Sequence, residues 1–133
     1  MSVYVDTSAF YAIVDSSDAN HHTAAATWQT LVHNKVELWT SSCTLTETLA
    51  LLHNRLGTGV IRRFVTDNLP VIKIHWMDQV IYSSALCAML AAPGKRGPSL
   101  ADCAALEVMK VLNTCRVFAY DQHFTDLGLE VLG

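Results

Sequence analysis

Four acidic residues stand where they can do chemistry. Asp6 directly follows the apolar run Val3-Tyr4-Val5, and Glu47 lies in the first turns of a leucine-rich helical stretch. Asp102 sits among Leu100, Ala101, Cys103 and Ala104, and Asp121 follows the strand-like segment Arg116 to Tyr120. A carboxylate in apolar surroundings needs a cation, yet no Lys or Arg lies within four residues of Asp6, Glu47 or Asp121. A divalent ion can fill that role, and an all-oxygen ligand set without Cys or His points to a hard one, Mg²⁺ or Mn²⁺. Each acid also has a purely local use. Asp6 and Asp121 can cap helices, Glu47 can close a capping box with Thr44, and Asp102 can do the same with Ser99. Spacing alone leaves both uses open.

The elements that must position these acids alternate along the chain. Val3-Tyr4-Val5 reads as a strand feeding a helix through Tyr11 to Val14, capped by Asp6 or Thr7. Ala24, Trp28, Leu31 and Val32 recur at helical spacing, and Glu37 to Thr40 reads as a weak strand. Thr44-Leu45-Thr46-Glu47 matches a capping box for a helix striped by Leu45, Leu49, Leu52 and Leu56 and ended by Gly57. Val60 to Leu69 repeats the helical period, Val71 to His75 is a β-branched run, and Asp78 to Leu90 is a largely apolar helix. Ser99 caps a further helix, and a short helix near Gln122 to Asp126 precedes the strand-like Leu129-Glu130-Val131. Strands separated by helices predict an α/β fold with a mostly parallel central sheet flanked by helices on both faces. No repeat or long linker divides residues 1–133, so one domain is expected. In such sheets functional groups gather outside the carboxyl ends of the strands, where all four acids would fall.

Composition sets bounds on partners. The chain of 133 residues is 51% hydrophobic, and its longest apolar run, Ala85 to Ala92, is far short of a membrane span. Only 16% of residues are charged, below the roughly 25% of ordinary domains, so apolar surface is expected to serve a second chain. Cys43, Cys87, Cys103 and Cys115 form no C-x-x-C pair and read as buried small hydrophobes of a reducing, cytoplasmic protein, and no secretory signal opens the chain. The six histidines lack metal-ligand spacing, although His123 lies two residues after Asp121. Trp28, Trp39 and Trp76 read as core or interface anchors. The net charge of −3 argues against a general nucleic-acid coat, but the acidity is concentrated: without the four acids, eight carboxylates face nine bases.

Tyr4-Val5-Asp6-Thr7-Ser8-Ala9, Thr46-Glu47, Ser99-Leu100-Ala101-Asp102-Cys103-Ala104 and Tyr120-Asp121-Gln122-His123-Phe124, in this order, resemble the motifs of PIN-domain ribonucleases, and most closely the VapC-like toxins of toxin-antitoxin pairs. The resemblance spans essentially the whole chain. It implies a three-layer α/β/α PIN-like fold and metal-assisted hydrolysis of RNA phosphodiester bonds by Asp6, Glu47, Asp102 and Asp121 with Mg²⁺ or Mn²⁺. Thr7 and Ser8 match its hydroxylated positions after the first acid, and Asp126 an outer carboxylate. Ala119 replaces a Ser or Thr that many members carry two residues before the last acid. Lys95, Arg96 and Arg55 are the expected RNA-phosphate contacts. A homodimer and an antitoxin protein are the implied partners. An inactive RNA- or protein-binding module on the same fold is the competing reading. A haloacid dehalogenase-type phosphatase needs a second Asp two residues after the first, where Ser8 stands.

Overall fold

The computed structural model describes residues 1–92, 94 and 97–133. Five strands form one all-parallel sheet: β1 (Ser2–Val5), β2 (Glu37–Ser41), β3 (Ile72–His75), β4 (Arg116–Phe118) and β5 (Glu130–Leu132), in the spatial order β3-β2-β1-β4-β5. Around it lie α1 (Thr7–Val14), α2 (His21–His33), α3 (Ser42–Leu56), α4 (Thr58–Asp67), α5 (Gln79–Ala91), α6 (Leu100–Val111) and α7 (Gln122–Asp126). The expected elements are all present. The last strand sits one residue later than its sequence pattern suggests, and Leu69–Val71 adds a 3₁₀ turn before β3.

Alternation along the strands sorts the core into two layers. Val3, Val5, Leu38, Ile72 and Phe118 pack with residues of α1, α2, α3 and α4, including Phe10, Leu31, Leu52 and Phe64. Tyr4, Val117 and Ala119 face the other way and pack with Ile81 of α5, Ala105 and Val108 of α6 and Phe124 of α7. The result is a three-layer α/β/α sandwich. The leucine stripe of α3 faces the first layer as expected, and Gly57 closes the helix at φ 83°, a conformation that suits glycine.

Three expectations are corrected. Thr44 does not cap α3: the helix begins earlier, and Ser41 is the N-cap, its Oγ accepting from the Thr44 N–H at 3.1 Å. Cys103 is buried and Cys43 half-buried, but Cys87, on the largely apolar α5, and Cys115, in the connection before β4, are exposed. Trp76, expected as a core or interface anchor, is 70% exposed, which removes it from the core. Among the described residues no helix is long and apolar enough to cross a membrane.

Candidate active site at the carboxyl edge of the sheet

The chain leaves β1 for β2 and β3 on one side, then returns to β4 on the other, so the strand order reverses between β1 and β4. That switch point opens a crevice at the carboxyl ends of the strands. Asp6, the residue after β1, stands there. Its N–H donates to the Phe118 carbonyl at 3.0 Å, which extends the β1–β4 ladder by one bond. Its side chain caps α1: Oδ2 accepts from the Ser8 N–H at 3.1 Å and the Ser8 hydroxyl at 2.7 Å. The Ser8 oxygen accepts in turn from the Tyr120 N–H at 3.0 Å. One hydroxyl thus ties the first acid to the backbone beside Asp121.

Asp6 is only 8% exposed. Burial raises its carboxyl pKa most, the two Ser8 hydrogen bonds pull it down, and Asp102 and then Glu47 raise it further. These two acids are therefore electrostatic neighbours of Asp6, reached from α6 and α3. Among the described residues the ion pairs are Lys73–Glu37, Lys110–Glu107 and Arg116–Glu130, and none engages the four acids.

The acids reach the edge without closing into one cluster. Asp102 serves the capping box of α6, Oδ2 accepting from the Ser99 N–H at 3.1 Å while Ser99 Oγ accepts from the Asp102 N–H at 3.1 Å. Asp121 caps α7 through the His123 N–H at 3.0 Å and is exposed, as is Glu47. Among the described residues no three His, Cys, Asp or Glu side chains are close enough to hold a metal ion. The local use is thus realised for Asp6, Asp102 and Asp121, and a cap occupies part of each carboxylate. The donor chemistry suits a hard divalent cation, because the buried member carries excess negative potential and every neighbour is an oxygen ligand.

The remaining expected residues divide. Thr7 is buried, but its hydroxyl turns toward Thr48 Oγ1 at 3.0 Å and the Thr44 carbonyl, so it fastens α1 to α3. Asp126 ends α7, exposed, accepting from Gln122 Nε2 at 3.3 Å. Ala119 is buried with its N–H on the Leu132 carbonyl at 3.2 Å, offering no hydroxyl to the crevice. Arg55 lies in the last turn of α3, about 12 Å along the helix from Glu47, its guanidinium 5.3 Å over the Tyr11 ring. Expected as an RNA-phosphate contact, it stands at the opposite end of α3 from Glu47. Lys95 and Arg96 lie outside the described residues. Sequence reasoning misses Tyr4, whose hydroxyl is bonded inside the site's foundation. A tyrosine in a buried strand is the available signal, since its hydroxyl must find partners.

The model of the PIN domain family matches residues 3–129. The chain belongs to the PIN-domain family. Among solved structures it is similar to the Mycobacterium tuberculosis toxin VapC20, which cleaves the sarcin-ricin loop, at 25% identity and a TM-score of 0.83, covering 96% of this chain and 95% of that one. No curated protein matches.

Proposed function

We propose that this PIN domain is a metal-dependent endoribonuclease and the toxin half of a toxin-antitoxin pair. The observation that carries the reading is Asp6: a buried carboxylate at the switch point, pressed by two further acids, with no cationic partner among the described residues. Membership of the family and the likeness to an RNA-cleaving toxin support RNA as the substrate class.

Asp6 and Asp102 are the central metal-holding residues in this reading, with Glu47 and Asp121 beside them or acting through water. When bound, Mg²⁺ or Mn²⁺ lowers the pKa of coordinated water and offsets charge that builds on the phosphate. The protein's own share is orientation. Ser8 fixes Oδ2 of Asp6 with two donors, which aims the other oxygen without committing it to a protein partner. Glu47 and Asp121, being exposed, stay hydrated and can accept protons or hydrogen bonds from water entering the crevice.

Purified protein should cleave RNA with Mn²⁺ or Mg²⁺ and not with EDTA. Asp6→Asn and Asp102→Asn should each reduce the rate at least about a hundredfold, equivalent to about 2.7 kcal/mol or more of transition-state stabilisation. Unchanged metal-dependent cleavage in both variants would refute the assignment; binding of RNA by the wild type without turnover under any divalent ion would favour the inactive-module reading.

The homodimer belongs to the same proposal. Helix α5 carries no charged residue, and Val80, Tyr82, Leu86 and Leu90 are exposed along it, Val80 and Leu90 at 73%. A patch of this kind is rarely left bare. Sedimentation at micromolar concentration should give a dimer, and Leu86→Lys with Leu90→Lys a monomer; a monomeric wild type would contradict this part.

A further inference from the structure

The Tyr4 hydroxyl belongs to no motif of the four acids, yet it connects the elements that carry three of them. Tyr4 lies two residues before Asp6 on β1 and is fully buried. Its ring joins the cluster that holds Ala105 and Val108 of α6, the helix of Asp102. Its oxygen reaches the first turn of α3, the helix of Glu47, lying 2.9 Å from Ser41 Oγ and 2.8 Å from Thr44 Oγ1.

Proton counting sets the directions. The Tyr4 O–H donates to Ser41 Oγ, which also accepts the Thr44 N–H at 3.1 Å. A phenol has one proton, so the third side of the triangle has the Thr44 hydroxyl donating to Tyr4. The N-cap of α3 is therefore completed from β1. Thr44 extends the tie through its carbonyl, which accepts from Thr48 Oγ1 at 2.8 Å, and Thr48 meets Thr7 of α1. Glu47 projects one turn beyond this anchor.

We propose that Tyr4 is a positioning residue: its hydroxyl holds the first turn of α3, and so Glu47, in place beside Asp6, and thereby sets the affinity of the site for a divalent ion. The inference rests on the carboxylate-site reading above. Without the hydroxyl, Ser41 loses a donor and Thr44 loses its acceptor, so the helix end keeps its Ser41 cap and its tie to Thr7 but loses its bond to β1.

The test is direct Mn²⁺ binding to the full chain, by electron paramagnetic resonance or calorimetry, alongside thermal melts. Tyr4→Phe keeps the ring and should weaken Mn²⁺ binding about tenfold, the low end of what outer partners of metal ligands contribute. Thr44→Val should do the same, and Thr44→Ser, which keeps the hydroxyl, should bind within about twofold of wild type. Phe64→Leu, in the opposite layer, serves as a destabilised control whose Mn²⁺ affinity should not move. If Tyr4→Phe and Thr44→Val lower the melting temperature but bind Mn²⁺ like the wild type, Tyr4 is core and the proposal fails. A wild type that binds no Mn²⁺ at all overturns the carboxylate-site reading and this inference with it.

Discussion

Helix α1 has an aspartate at each end, Asp6 before its first residue and Asp15 after its last, roughly 13 Å apart along the axis. The helix dipole favours the first and opposes the second, so on that ground alone Asp6 would be the more acidic. The structure has the reverse order. Burial and then the neighbouring acids raise Asp6, its Ser8 hydrogen bonds notwithstanding. The half-buried Asp15 is lowered, first by the Tyr11 hydroxyl, then by the Ser17 N–H, with His21 and Arg55 adding to it. At one end the fold assembles cation, ring and hydroxyl around a half-buried acid. At the other it leaves a buried acid facing two more. This contrast is what the metal-site proposal rests on: of the two, the acid at the sheet's switch point is the one left without a cationic partner among the described residues.

Exchanging the two acids for amides sharpens this contrast most strongly in the chemistry. Asp6→Asn should reduce metal-dependent RNA cleavage by at least about a hundredfold, and Asp15→Asn should leave it within about twofold. Comparable losses from both, in a single-turnover assay at saturating Mn²⁺, would mean that the helix as a whole, and not the edge, matters.

The next effect is on stability, and its sign differs between the ends. A carboxyl whose pKa is raised on folding binds protons more tightly in the native state, so stability falls as pH rises from the unfolded value toward the raised one and stays lowered above it. In EDTA at neutral pH, Asp6→Asn should therefore melt higher than the wild type, with the advantage vanishing on acidification through the ordinary aspartate value of 3.8. Mn²⁺ at a hundred times its dissociation constant should add about 2.7 kcal/mol to the wild type and nothing to Asp6→Asn. Asp15 has the opposite sign: its contribution is present above 3.8 and disappears as pH falls through its lowered native value. An apo Asp6→Asn less stable than wild type at pH 7 would show that the cap bonds from Ser8 outweigh the burial of charge.

Legibility follows the range of the physics involved. Period-2 and period-3.6 patterns are local, and the strands and helices they predict are present, down to the leucine stripe of α3. Asp6, Asp102 and Asp121 stand at strand or helix ends because caps are local signals too. The start of α3 is ambiguous in the sequence because Ser41 and Thr44 are both competent caps, and both side chains meet the hydroxyl of Tyr4, 40 residues from Thr44 along the chain. No spacing rule reports such a pairing. Cys87 and Cys115 escape burial because apolarity predicts a covering without naming what covers. The Gly57 stop already places Arg55 in the last turn of α3; what the sequence does not report is its partner, the Tyr11 ring of α1.

Arg55 provides the smallest effect and the cleanest separation of the two ends. Its guanidinium lies over Tyr11, the ring whose hydroxyl does most to lower the Asp15 pKa, which places it at the compensated end. An exposed cation–π pair contributes roughly 0.5–1 kcal/mol, and Arg55→Ala should lower the melting temperature by a few degrees. RNA cleavage should be unaffected. The discriminating measurement is the salt dependence of RNA binding. Removing a cation that pairs with a phosphate reduces the slope of log affinity against log salt by about one, whereas removing a helix-end clamp leaves the slope alone and moves only stability. A reduced slope at unchanged melting temperature would transfer Arg55 to the RNA path and extend the functional surface down the full length of α3, erasing the division between the two ends.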